Sequence, residues 1–320
     1  MKEIGGYFEI ENNTGKEFHQ DCIRLNSGRN ALRYLIRVNH IKTIYLPKFN
    51  CSVVSDVCNE EKVKILWYQI DEHFTIKEDS ITEPYDYLYI INYYGQLNFE
   101  KILEYKRKFN NIIIDNAQSF FSYPCEEIDT LYTCRKFFGV PDGAYLYSNN
   151  KLASNLEFDC SYNNLTHLYG RLENNANLFY KDYQDNEHRI SDLKLKYMSK
   201  STRNTLKGIN YDFVARTRTE NFEYLDKKLS KYNKLQLTIP VGPYMYPLWI
   251  PNGCEIRSKL NSFKIYTPLL WPNVLEETSK EDLEYNMAND ILPITCDQRY
   301  TINDMEYIVD VLTDLIEKGE

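Results

Sequence analysis

Residues 111–144 read NIIIDNAQSFFSYPCEEIDTLYTCRKFFGVPDGA. The segment opens with a short apolar run, Ile112-Ile113-Ile114, that stops at Asp115, and Gln118 follows three residues later. A second run, residues 128–133, delivers Arg135 and Lys136. Pro141, Asp142 and Gly143 then mark a tight turn. Short apolar runs bounded by turn residues read as two buried strands of an open α/β sheet, each presenting a polar group where it ends. In such sheets ligands bind outside the carboxyl ends of the strands. A carboxylate and a lysine placed there can hold opposite ends of one ligand.

Pyridoxal phosphate (PLP) is the cofactor whose chemistry uses both groups. A lysine amine condenses with its aldehyde to a Schiff base. An acidic partner keeps the pyridine nitrogen protonated, so that the ring draws electrons. Lys136 suits the first role and Asp115 the second, and Thr133 can offer its hydroxyl to the phosphate. Each residue also has a plainer reading. An Asp after an apolar strand often caps the next helix, and a loop lysine is usually a solvated charge. The case for PLP therefore depends on a phosphate site elsewhere in the chain. Residues 25–30, LNSGRN, are the candidate, because Ala31, Leu32, Leu35 and Ile36 follow at helical spacing. Free N–H groups and the helix dipole make such a start an anion site. An ordinary Asn/Ser cap on an amphipathic helix would look the same.

The rest of the chain alternates in the same way. Residues 42–46 form a β-rich run stopped by Pro47, and a helix with Val53, Val54 and Val57 follows. Strands are expected over 63–70, 86–92 and 144–147, and a helix over 99–109 after the turn Tyr93-Tyr94-Gly95-Gln96. This alternation predicts a mainly parallel, doubly wound α/β sheet. Residues 5–8 read as a turn and a short edge segment, and residues 151–203 as polar and helical. His167 and His188 stand there singly, without partners. Residues 204–229 read as one long helix with Ile209, Phe213, Phe222 and Leu225 on its apolar face. Strand-like runs over 235–239 and 246–250 and helices over 255–261 and 304–316 complete the chain. The expected organisation is a large α/β domain over 1–210 and a small C-terminal α+β domain over 211–320, with the long helix bridging them.

Composition narrows the function classes. The 320 residues are 43% hydrophobic, enough for a sizeable core. The net charge of −8, with scattered Lys and Arg, argues against a nucleic-acid surface. The eight cysteines form no CxxC pair and no zinc spacing, so reduced thiols and no metal site are expected. No run approaches the roughly 18 apolar residues of a membrane span. The start, MKEIGGYFEIENN, lacks the apolar core of a signal peptide, so the expected location is the cytoplasm. A nucleotide-binding α/β protein without PLP is disfavoured, because the Gly28 turn has neither GxGxxG nor GxxxxGK[ST].

With these residues laid out, the chain resembles the DegT/DnrJ/EryC1/StrS family of PLP-dependent sugar aminotransferases over most of its length. Ser27-Gly28-Arg29-Asn30-Ala31-Leu32 sits where that family has its SGTAAL-like phosphate turn. Asn92-Tyr93-Tyr94-Gly95 looks like its HLYG segment. Asp115-Asn116-Ala117-Gln118 matches its D-x-A-Q motif, and Lys136 with Asp142-Gly143 matches its lysine and acidic-Gly pair. A less characterised branch is closer still, with SGRNAL, IDNAQ, RKFFGVPDG and a late DQRY, here Asp297-Gln298-Arg299-Tyr300. Leu131 departs from the family's serine, with Thr133 as its substitute. The family's ring over the cofactor aligns near Cys51, with Phe49 as the alternative. A second-subunit N-x-R motif has no clear match near residues 195–197, where Arg203 and Asn204 are the candidates.

The resemblance implies a fold-type I PLP-dependent transferase. Gly28, Arg29, Asn30 and Thr133 would hold the phosphate, Asp115 the pyridinium and Gln118 the phenolic oxygen, with Lys136 as the catalytic amine. It further implies amino transfer from a donor such as glutamate to a keto sugar, nucleotide-linked, in surface polysaccharide or related sugar biosynthesis, by a homodimer. The alternatives are a PLP-dependent sugar dehydratase or isomerase and a degenerate, non-catalytic PLP-fold protein. Retention of Lys136 tilts toward transamination.

Overall fold

The computed structural model describes residues 4–109 and 111–318. Residues 1–3, 110 and 319–320, which include the chain start read above and the outer limits of both expected domains, lie outside the described residues. The first half of the chain builds one sheet from β1 (Ile23–Leu25), β2 (Thr43–Pro47), β3 (Lys64–Tyr68), β4 (Tyr87–Ile91), β5 (Ile112–Asp115), β6 (Asp129–Thr133) and β7 (Ala144–Tyr147). Helices α1 (Gly28–Val38), α2 (Ser52–Glu60) and α3 (Phe99–Lys108) connect them. The sheet order is β1-β7-β6-β5-β4-β2-β3. Strands β2 to β6 run parallel, and β7 runs against both of its neighbours. This is the mainly parallel α/β sheet that the alternation predicts. Strand β5 is buried along its whole length, as a strand covered on both faces must be. Its register aligns Asp115 with Ile91 of β4 and with Leu131 of β6, so β4 and β5 end at one level and β6 runs two residues beyond them, to Thr133.

Four helices follow: α4 (Thr166–Glu173), α5 (Tyr180–Ser191), α6 (Lys200–Lys207) and α7 (Tyr211–Leu229). A second, two-stranded antiparallel sheet pairs β8 (Met245–Trp249) with a strand near the end of the chain. Between them lie α8 (Gly253–Leu260), α9 (Pro272–Glu277) and α10 (Leu283–Asp290), and then come β9 (Ile291–Thr295) and α11 (Ile302–Glu317). Phe222, Leu225, Tyr246, Leu248, Leu292, Ile294 and Leu312 form the core of this part. No helix among the described residues is long and apolar enough to cross a membrane.

Several local expectations change. Residues 204–229 are not one helix, because α6 stops at Gly208 and the Asn210 side chain accepts the Phe213 N–H at 3.1 Å to cap α7. The new start rotates the helix face: Phe213 is 46% exposed, and Val214 is buried in its place. Residues 235–239 form no strand. Their neighbour is a side chain: Gln96 accepts the Thr238 N–H at 2.8 Å and donates to the Thr238 carbonyl at 3.0 Å. Residues 5–8 bend as expected, with Gly5 and Gly6 at positive φ, but supply no edge segment to the sheet, and Tyr7 and Phe8 are exposed. Strand β9 went unanticipated because Pro293 interrupts it. It pairs opposite Pro247 in a two-stranded sheet, where both strands are edge strands, the kind that can carry a proline; both prolines are buried.

Candidate active site

The carboxyl end of β6, which lies beside that of β5, meets the start of α1. Ser27 is extended, and its Oγ accepts the Asn30 N–H at 3.2 Å. The N–H groups of Gly28 and Arg29 make no hydrogen bond among the described residues. A Cβ on Gly28 would lie 2.7 Å from Thr133 Cγ2, so only glycine lets this turn press against the end of β6. The Thr133 hydroxyl donates to the Ala117 carbonyl over a long 3.5 Å, which leaves it free to serve another acceptor. Arg29 is partly exposed, and its guanidinium has no hydrogen-bond partner among the described residues. Asn30 is placed differently. Its amide donates to Asn26 Oδ1 at 2.8 Å and to the Leu193 and Lys194 carbonyls at 3.1 and 2.9 Å, so its side chain braces the turn from behind.

Asp115 is 7% exposed. Oδ2 accepts the Tyr89 hydroxyl at 2.7 Å and Oδ1 the Ala117 N–H at 2.8 Å. Burial raises its pKa, and the charge of Lys136 opposes that shift. Gln118 is buried and oriented by its neighbours: Oε1 accepts the Tyr94 N–H at 2.8 Å, while Nε2 has no partner. A buried amide donor without an acceptor is rare and costly, and it marks a place where another group is expected.

The Lys136 side chain is open to solvent, yet protein crowds it closely. Its Nζ lies 5.5 Å from the ring centroid of Tyr244. Lost hydration lowers its pKa; Asp115 and Cys51 oppose the shift and Arg135 adds to it. Exposure and dehydration are compatible, because water can reach part of a side chain without surrounding its amine. Cys51, the residue before α2, is partly exposed, whereas Phe49 is fully buried with its ring 4.9 Å from that of Trp271. Of the two candidates for the position over the ligand, Cys51 is the one at the site and Phe49 belongs to the core.

Other residues singled out in the sequence are structural. Asp142 accepts from the N–H and the hydroxyl of Ser199 and from the Thr202 hydroxyl, and so caps α6. Arg203 pairs with Glu17 at 2.9 Å, and Asn204 donates to the Glu11 carbonyl, so both strap the N-terminal segment. His167 is buried, His188 is exposed, and all eight cysteines are free. Two site residues belong to no motif. Tyr89 holds Asp115 from a neighbouring strand, and Tyr244 reaches Lys136 from the chain before β8. A tyrosine in the buried part of a strand needs a partner for its hydroxyl, and that need is the one available clue to Tyr89.

No protein-family model matches the chain, and no curated protein matches it. Solved structures do. DesV of S. venezuelae, in complex with a ketimine intermediate, is 15% identical, with a TM-score of 0.65 over 92% of this chain and 85% of that one. NtdA of Bacillus subtilis, with bound cofactor PMP, is 12% identical, with a TM-score of 0.67 over 93% and 74%. A DegT DnrJ EryC1 StrS aminotransferase from Brucella abortus is 13% identical, with a TM-score of 0.60 over 93% and 86%. The chain has the fold of these aminotransferases.

Proposed function

We propose that this chain is a PLP-dependent aminotransferase of the DegT/DnrJ/EryC1/StrS type, acting on a nucleotide-linked keto sugar with glutamate as amino donor. The observation that carries the reading is the convergence, beyond the ends of the adjacent strands β5 and β6, of Lys136, a buried carboxylate and a buried unpartnered amide, beside an open helix start. Each free group matches one part of the cofactor. The Gly28 and Arg29 N–H groups, the Arg29 guanidinium and the Thr133 hydroxyl would take the phosphate. Asp115 would take the ring nitrogen, and Gln118 Nε2 the phenolic oxygen. When bound, PLP supplies an electron sink for the carbon that bears the amino group.

The chain's own residues do the rest. Burial disfavours an isolated charge on Asp115, so a positive ring nitrogen is a fitting partner for it. Tyr89 and Ala117 hold its two oxygens in one orientation. The lowered pKa of Lys136 raises the neutral fraction of its amine, the form able to act as a nucleophile and to take and return a proton at Nζ. A homodimer, a cytoplasmic location and a role in surface polysaccharide or related sugar biosynthesis complete the proposal, supported by the motif resemblance and the folds it matches. The test is the absorbance of the purified protein with PLP before and after glutamate. A visible band that bleaches supports amino transfer. A band that no amino donor bleaches favours a non-catalytic binder instead.

A further inference from the structure

The DQRY turn has no part in the site described above, yet it is tied to the lysine loop. The link runs through Arg218 of α7, which is 2% exposed. Its Nε donates to Gln298 Oε1 at 2.7 Å. Nη1 donates to the Pro243 and Tyr244 carbonyls at 2.9 and 3.2 Å, and Nη2 to the Phe137 carbonyl at 3.3 Å. The guanidinium also lies 4.7 Å from the Phe137 ring centroid. Gln298 Nε2 donates to the same Phe137 carbonyl at 2.8 Å. The carbonyl of Phe137, the residue directly after Lys136, therefore receives two donors, one from α7 and one from the DQRY turn. The same guanidinium holds the backbone of Tyr244, whose ring faces the lysine amine.

We propose that Gln298 and Arg218 are positioning residues for Lys136, locking the loop that carries the amine and the ring that faces it to the second sheet. The proposal rests on the reading of Lys136 as the cofactor-bearing amine. Filling space alone would not require this pattern, since an apolar side chain would pack as well and leave no cation to satisfy. A buried carbonyl deprived of its donors is driven to rearrange. The Phe137 peptide would then turn toward water and carry Lys136 with it. The charged and titratable groups that act on the amine are Asp115 of β5, Cys51 ahead of α2 and Arg135 of its own loop, with the Tyr244 ring facing it. None of the first three touches Gln298, so a neutral change at Gln298 reaches the amine only through position.

The experiment uses the full chain without cofactor. The pH dependence of Lys136 acetylation by acetic anhydride is read by peptide mass spectrometry in wild type, Gln298→Ala, Gln298→Met and Asp304→Asn. Gln298→Met keeps the side-chain length, adds no charge and loses the donor to Phe137. Asp304→Asn weakens the capping box of α11 and serves as a pure stability lesion. The wild-type midpoint should lie below the ordinary lysine value of about 10.4. Both Gln298 variants should move it up toward that value, and Asp304→Asn should leave it in place while lowering Tm. If Gln298→Ala does not fold, Gln298→Met decides. An unmoved midpoint in Gln298→Met, an equal shift in Asp304→Asn, or an ordinary midpoint in wild type would overturn the proposal. Failure of wild-type Lys136 to take PLP is a separate result, seen by borohydride mapping, and strikes the functional reading instead.

Discussion

Two buried aspartates flank Lys136, and they are built differently. Asp142 receives the Ser199 N–H at 2.9 Å, the Ser199 hydroxyl at 2.8 Å and the Thr202 hydroxyl, all from the start of α6. Asp115 receives only the Tyr89 hydroxyl and the Ala117 N–H, and the charge that acts on it is that of Lys136. Burial raises the pKa of both, so the direction of the shift does not separate them. Donor count does, because a carboxylate offers about four acceptor positions. Asp142 is a cap that ties α6 to the lysine loop. Asp115 is held in place by neutral donors and keeps capacity for a cation.

The sharpest way to break this contrast is Asp115→Asn. The amide keeps the size and one acceptor oxygen but offers no charge to a ring nitrogen. The single-turnover half-reaction with an amino donor should slow by roughly two to four powers of ten, about 3–5 kcal/mol. Bleaching as fast as wild type would remove Asp115 from that role. The mirror-image change is Asp142→Ala. It should lower the unfolding free energy in urea by about 3 kcal/mol, since buried Ser199 and Thr202 groups lose their acceptor. Folded Asp142→Ala should still retain PLP, and loss of binding at full stability would erase the contrast.

A third buried group sharpens the structural side. His19 contacts the Phe120 carbonyl at 2.8 Å and the Tyr147 hydroxyl at 3.1 Å, and burial lowers its pKa from 6.5 to about 4. Between those values the unfolded chain binds a proton that the native state does not. Stability is therefore whole above pH 6.5 and is lost as pH falls toward about 4. The loss should be about 3 kcal/mol. His19→Gln should flatten urea stability across that window, and an unchanged slope would assign the acid sensitivity elsewhere. The smallest change expected is from Gly28→Val. Its Cβ would press on Thr133 and spoil the helix start. PLP retention should weaken roughly tenfold, about 1.4 kcal/mol, with the fold preserved. Unchanged affinity would place the phosphate elsewhere.

The parts of the site that were legible in sequence are those carried by local pattern. Asp115 and Lys136 follow short apolar runs that became buried parallel strands, and Gly28 opens a helix with clear periodicity. What stayed hidden acts across long sequence separations. Asn30 belongs to the phosphate turn by motif, but its side chain is claimed by carbonyls of residues 193 and 194, which only the fold brings near. Tyr244 lies over a hundred residues along the chain from Lys136, and Arg218 over eighty from Phe137, and nothing in their own neighbourhood announces the lysine loop. Strand β9 was obscured by its proline, and the break before α7 by a glycine that also reads as tolerated within a helix.

The most direct measurement is borohydride reduction of the PLP-treated protein followed by peptide mapping. A pyridoxyl group on Lys136, in the peptide containing Arg135-Lys136-Phe137, is the result this account predicts. A group on Lys48, the other lysine next to a strand end, or no group on any lysine, would contradict it.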